Sequence, residues 1–239
     1  MMAQEMIDTV IIPRRFCGPP DSGNGGYTCG VLGTLLGGAA EVTLRSPPPL
    51  DRPIDVERHG SGVHLRAGGQ LVAEATPTVI GMNAPPAPSP DEAAAASERF
   101  PWREKHLYPT CFVCGPKRTP GDGMCIYPGA VEGRGIAAAP FVPDATLAGE
   151  DGRLRPEVAW AALDCPSWFG FQCFNAFDGV ILLGRLAARI DSLPRTGDRC
   201  IVVGWSLGRD GRKIRCGSAL YSEKGEPLAI GQATWIVVK

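Results

Sequence analysis

Pro156-Glu-Val-Ala-Trp-Ala-Ala-Leu-Asp-Cys165 carries the helix signals around which the rest of this chain can be arranged. Pro156 suits a first helical turn, where its missing N–H costs nothing and its φ is already helical. Glu157 beside it favours the positive end of the helix dipole. Val158, Ala161, Ala162 and Cys165 recur at helical spacing and give an apolar face. Pro166-Ser167 follow at once and mark the expected helix end, with 168–174 trailing behind it. Asp164 therefore falls in the last turn, where the dipole disfavours a carboxylate. An acid placed against stability is a candidate for function; the structural alternative is an exposed or capping Asp.

A second stretch strengthens the functional reading. Asn24-Gly-Gly-Tyr27 follows a loop rich in Gly, Pro and Asn and opens an apolar segment, 27–36, read as a helix. Gly30 and Gly33 lower its helix propensity but would let another backbone approach closely.

Composition sets limits on function. With 44% hydrophobic and 21% charged residues, a full core is expected and disorder is not. A net charge of −1 supplies no basic field, so nucleic acid is excluded as an expected partner. No apolar run is long enough to span a bilayer, so no membrane partner is expected. The opening Met-Met-Ala-Gln-Glu-Met lacks a basic region ahead of an apolar one, so no secretory signal is expected. Nine cysteines, an odd number in mostly apolar company, read as reduced thiols of a cytoplasmic protein.

Taken in order, strand patterns fall at 9–13, 40–45, 54–57, 63–66 and 70–80, punctuated by His59-Gly-Ser-Gly62 and Ala67-Gly-Gly69. From 82 to 99 the composition shifts to Ala, Pro, Ser and acid without periodicity, which reads as a linker. Further strands are expected at 135–142, 179–190, 200–207, 213–222 and 228–238, with turns at Arg209-Asp-Gly211 and Glu223-Lys-Gly-Glu226. Each half is thus a helix followed by an antiparallel meander. Val42-Thr-Leu-Arg-Ser-Pro-Pro-Pro-Leu50 is echoed by Leu186-Ala-Ala-Arg-Ile-Asp-Ser-Leu-Pro194, and the 69–79 segment by 225–236. The expected architecture is α+β, a tandem repeat of a central helix wrapped by a curled antiparallel sheet. Its expected units are 1–82 and 105–239, with 83–104 as the linker.

This pattern resembles the hotdog-fold thioesterase superfamily in a double-hotdog arrangement. The resemblance rests on Asn24-Gly-Gly-Tyr27, on Ala162-Leu-Asp164, and on Cys111-Phe-Val-Cys-Gly115 ahead of Gly123-Met-Cys-Ile126. It implies that a Gly-Gly turn and an acid about two helical turns further on share one helix, with the site completed across a dimer. Here the two are divided. The first helix has Gly25-Gly26 but Thr34 at the acid position, and the second has Asp164 but Pro156 at the glycine position.

The resemblance implies hydrolysis of an acyl-CoA, or acyl-carrier, thioester by water, without a cofactor. Free N–H groups at a helix start can hold a thioester oxygen as negative charge develops on it. Gly26 and Tyr27 are the candidates, with Asn24 as cap or as a group polarising the carbonyl. Asp164 would be the general base, or would attack directly and form an anhydride. Thr28, Ser167 and Gln172 are possible helpers in positioning water. Trp168, Phe169, Phe171 and Phe174 are core residues or the lining of an acyl tunnel. Cys111, Cys114 and Cys125 form half of a zinc-ribbon pattern with only His106 nearby, so no metal is expected. The alternatives are a non-catalytic acyl-ligand binder and a hotdog hydratase or dehydratase, the latter lacking an Asp/His pair at helix spacing. A homo-oligomer is compatible with either.

Overall fold

Pro156 does open a helix, but the helix does not stop at Pro166. In the computed structural model it runs from Pro156 to Gln172, with Pro166 inside it. Every residue from Val158 to Phe171 is buried, as expected of a helix enclosed on all sides. Pro166 removes one rung of the ladder. Two hydroxyls bond to carbonyls beside the interruption: Ser218 Oγ donates to Leu163 O and Ser167 Oγ to Asp164 O, each at 2.7 Å. The strand behind comes so close that a Cβ on Gly204 would lie 1.8 Å from the Pro166 carbonyl oxygen. Tertiary enclosure thus overrides the proline signal, and Asp164 sits mid-helix and not in a last turn.

The structure describes residues 5–238; residues 1–4, part of the segment read above for a secretory signal, and residue 239 lie outside them. The elements are β1 (Glu5–Ile11), α1 (Gly25–Gly33), β2 (Ala40–Leu44), β3 (Pro53–His59), β4 (Gly62–Ala67), β5 (Gln70–Pro77), α2 (Pro90–Ser97), β6 (Gly129–Ala130), β7 (Ile136–Phe141), α3 (Pro156–Gln172), β8 (Ile181–Ile190), β9 (Cys200–Asp210), β10 (Lys213–Ser222) and β11 (Pro227–Val237). All eleven strands join one antiparallel sheet in the order β1-β3-β4-β5-β2-β8-β11-β10-β9-β7-β6. Outward from the central β2–β8 pair, β5, β4, β3 and β1 on one side mirror β11, β10, β9 and β7 on the other. The two echoed segments meet at that centre, with Val42 opposite Leu186. The strands on either side of this pair therefore belong to a single sheet. Among the described residues no helix is long and apolar enough to cross a membrane.

α1 starts two residues earlier than its apolar pattern suggests. Asn24 caps it by accepting from Tyr27 N, so the glycine pair forms its first turn. The segment 34–36 continues as a 3-10 turn that ends at Gly37, where φ is 63°. α1 lies against α3 through Gly26, Gly30 and Gly33. A Cβ at Gly30 would be 2.5 Å from the Glu157 Cα, and one at Gly33 would be 2.4 Å from the Trp160 ring. Gly30→Ala should therefore lose about 1–3 kcal/mol of stability, because overpacking against backbone outweighs the better helix propensity of Ala. Gly81→Ala is the control, since nothing lies within 4 Å of its Cβ position. Denaturant midpoints of the two variants check this.

The 83–104 segment is more ordered than a linker. Ser89-Pro-Asp-Glu92 forms a full capping box, Glu92 N donating to Ser89 Oγ and Ser89 N to Glu92 Oε2, and starts α2. Ala93 and Ala96 are buried with Ile80 against Ile136, Val203, Trp205 and Tyr221. This layer covers the outer face of the second half, so β9 and β10 run through successive buried residues instead of alternating. β3 keeps its alternation.

Candidate active site

The α1–α3 packing brings the acid of one half to the helix start of the other. Asp164 is 2% exposed. Its Oδ2 accepts from Gly26 N at 2.9 Å and from Asn24 Nδ2 at 2.8 Å. Its Oδ1 is buried with no partner. Burial pushes the carboxyl up to about 7, and the Cys111 sulfur adds to the rise, against the lowering effect of the bonds from Gly26 and Asn24. Gly26 makes this approach possible: a Cβ there would lie 2.4 Å from the Asp164 Cβ.

Asn24 works from both ends. Its Oδ1 accepts from Tyr27 N at 2.9 Å, while Nδ2, besides bonding Asp164, stands 3.9 Å from Cys111 Sγ. Gly26 and Tyr27, the expected oxyanion donors, thus have their N–H groups engaged by Asp164 and Asn24. Asn24 N itself donates to Phe16 O. Of the donors at the start of α1, the Gly25 N–H is the one left without an acceptor among the described residues. The Tyr27 ring stacks on Phe16 with centroids 4.0 Å apart, and burial pushes its phenol up to about 12.

A cavity of about 630 Å³ opens here, within the range of small-molecule sites. Asn24, Gly25, Cys111, Asp164 and Cys165 line it. Its apolar walls come from Pro19, Pro48, Leu44, Leu183, Trp235 and Ile236, so both halves contribute. The expected helpers lie elsewhere. Thr28 Oγ1 bonds to Asn24 O, and Ser167 Oγ is taken by Asp164 O and Trp235 Nε1. Gln172 does not border the cavity. Trp168, Phe169 and Phe171 are core residues and Phe174 is exposed, so the aromatic cluster does not line it.

Sequence reasoning passed over three site residues. Gly25 lay inside the quoted turn, Cys111 inside the quoted Cys-x-x-Cys motif, and Cys165 beside the acid. All nine cysteines are free. The Sγ atoms of Cys111, Cys114 and Cys165 lie within 4.8 Å of one another and could together hold a thiophilic metal. No fourth His, Cys, Asp or Glu of the described residues joins the group, whereas a closed structural zinc site takes four. Cys125 and His106 stand outside it. His106 accepts from Tyr108 N at 2.9 Å, and burial holds its pKa down. Bonds from the Cys114 and Cys165 thiols hold Cys111 well below the ordinary thiol value, while both donors are raised.

No protein-family model matches the chain, and no curated protein does. Solved structures do match over its whole length. A proposed thioesterase from Novosphingobium aromaticivorans has a TM-score of 0.64 at 14% identity, with 100% of both chains covered. The tesB protein of Mycobacterium avium subs. paratuberculosis has a TM-score of 0.60 at 14% identity, covering 99% of this chain and 96% of its own. A hot dog fold protein of unknown function from Alicyclobacillus acidocaldarius has a TM-score of 0.57 at 11% identity, with 99% and 96% covered. The chain has the hotdog fold, with an α+β architecture.

Proposed function

We propose that this chain is a tandem hotdog, with units 1–82 and 105–239, and that it hydrolyses an acyl-CoA or other acyl thioester with water. The observation that carries this is the acid poised across the two helices. Asp164 Oδ2 is anchored by Gly26 and Asn24, leaving Oδ1 buried without a protein partner, and Asp164 and Gly25 both line one cavity. A base and an unpaired backbone donor at one apolar cavity are what thioester hydrolysis needs. The oxyanion role thus falls to Gly25, because the N–H groups of Gly26 and Tyr27 are used in building the site. Asn24 is a positioning residue that holds both the helix start and the acid.

A panel of acyl-CoAs, short, long and aromatic, assayed by thiol release, tests the reading. Hydrolysis of at least one that is lost in Asp164→Asn is the expected result. Tight binding of an acyl-CoA with no turnover would instead assign the cavity to a non-catalytic binder. Thr34→Asp should not rescue Asp164→Asn, because Thr34 is exposed at the far end of α1 and does not border the cavity.

A further inference from the structure

We propose that Cys111, Cys114 and Cys165 form a binding site for a thiophilic divalent cation of the zinc class, held by three sulfurs with its fourth position left to a ligand from the active-site cavity. The site stands apart from the thioester-hydrolase reading, because its occupancy is measured without turnover. The three Sγ atoms lie within 4.8 Å of one another, and no other such group of His, Cys, Asp or Glu occurs among the described residues. They come from two places, the Cys-x-x-Cys turn and the middle of α3. Cys125, which the sequence groups with the pair, stands outside and bonds to Arg118 O at 3.7 Å.

The spacing suits a metal. Zinc holds sulfur at about 2.3 Å, so two sulfurs of a tetrahedral site stand about 3.8 Å apart. Cys111 Sγ and Cys165 Sγ are 3.7 Å apart. Plain contact between two thiols gives a similar distance, and it is the third converging sulfur that makes a ligand set. The turn that carries two of them is fixed by backbone bonds and not by its sulfurs. Gly115 N donates to Cys111 O at 2.9 Å, Phe112 N to Cys17 O at 2.8 Å and Ile126 N to Val113 O at 2.9 Å. A Cβ at Gly115 would lie 2.6 Å from both Cys111 N and Cys111 O, so glycine lets the chain wrap this tightly. Ligands held in place beforehand cost little further ordering when the ion binds.

Three protein ligands leave one position open, the pattern of a zinc site that takes water or a substrate atom, whereas a structural site is closed by four. Cys111 and Cys165 line the cavity with Asp164 and Asn24, so the open position has its ligand at hand there, water being the simplest. Asn24 Nδ2, 3.9 Å from Cys111 Sγ, is an outer donor of the kind that orients a metal-bound sulfur. As the ion binds, the three S–H protons pass to solvent and three metal–sulfur bonds form, with no electron transferred. Sulfur ligands favour zinc over magnesium or calcium, which take oxygen.

The test uses the full-length, untagged chain, reduced, stripped with a chelator and titrated with zinc chloride alone. One zinc per chain, retained through desalting, is the expected result. Zinc-edge X-ray absorption should count three sulfurs and one lighter ligand. Cys111→Ser, Cys114→Ser and Cys165→Ser should each weaken zinc binding roughly 100-fold or more, since even outer-shell partners of a metal site are worth about 10–100-fold. Cys125→Ser and Cys173→Ser should stay within about threefold of wild type. If a serine variant does not melt cooperatively, the absorption spectrum of the wild type decides. A reduced chain that takes up less than about half an equivalent of zinc overturns the proposal. So do four sulfurs at the metal, fewer than three, or binding that depends on Cys125 and not on Cys165. A chain that binds zinc but hydrolyses no acyl-CoA keeps this site and loses the hydrolase reading, and one that hydrolyses acyl-CoA without taking up zinc does the reverse.

Discussion

Asp164→Asn is expected to lower kcat for thioester hydrolysis by roughly 10²–10⁴-fold, the range of a positioned general base, with the fold preserved. The Asn side-chain oxygen can accept from Gly26 N and Asn24 Nδ2 as Oδ2 does, so the α1–α3 contact keeps both of its bonds. The amide nitrogen then occupies the place of Oδ1, the atom that has no protein partner. An amide is neither a base nor a nucleophile, so the loss falls on the chemical step. Thiol release with saturating acyl-CoA, run beside a melting curve, separates this from unfolding. A well-folded variant with near wild-type turnover would remove Asp164 from the mechanism.

The same carboxyl should dominate the dependence of stability on pH. Its pKa rises from 3.8 to about 7 on folding, chiefly through burial. A raised pKa means that the folded state favours the proton. The contribution to stability is therefore full below the unfolded pKa near 4, and is lost as pH rises through about 7. At about 1.4 kcal/mol per pKa unit, the swing between pH 4 and pH 8 is about 4 kcal/mol. For a chain of this length that corresponds to roughly 8–16 °C in melting temperature. Asp164→Asn has no such proton, so the stability of wild type relative to the variant should fall by this amount between the two pH values. A constant difference would show that the carboxyl titrates normally. The expected result also implies that the site is held together at some cost to stability near neutral pH, a common feature of tuned active sites.

Much of the architecture was legible because it is written in local conformation. Pro156 and the Asn24 cap each begin a helix for reasons confined to one turn. The turns ending the meander strands were marked by Gly60, Gly68, Gly69, Gly211 and Gly225, all of which take positive φ. The role read for Gly30, close approach of another backbone, also followed from the missing Cβ, whereas at Gly33 the neighbour is the Trp160 ring. What failed depended on partners distant in sequence. The helix passes through Pro166 because the sheet encloses it, and the alanines of α2 order because a sheet face lies beneath them.

The candidate site divides along the same line. By itself the sequence singled out the candidates, namely a carboxylate on one helix, a glycine start on another and a cysteine turn between them. Tertiary structure alone decided that Asp164 binds Gly26 N–H, that the free donor is therefore Gly25, and that Cys111 shares Asn24 with the acid. Hydrogen-bond capacity is a property of the residue, but which capacity stays unspent depends on contacts across 87 and about 140 positions of chain. Desolvation is likewise set by everything packed around a group, so no local pattern could have announced a carboxyl held near pH 7.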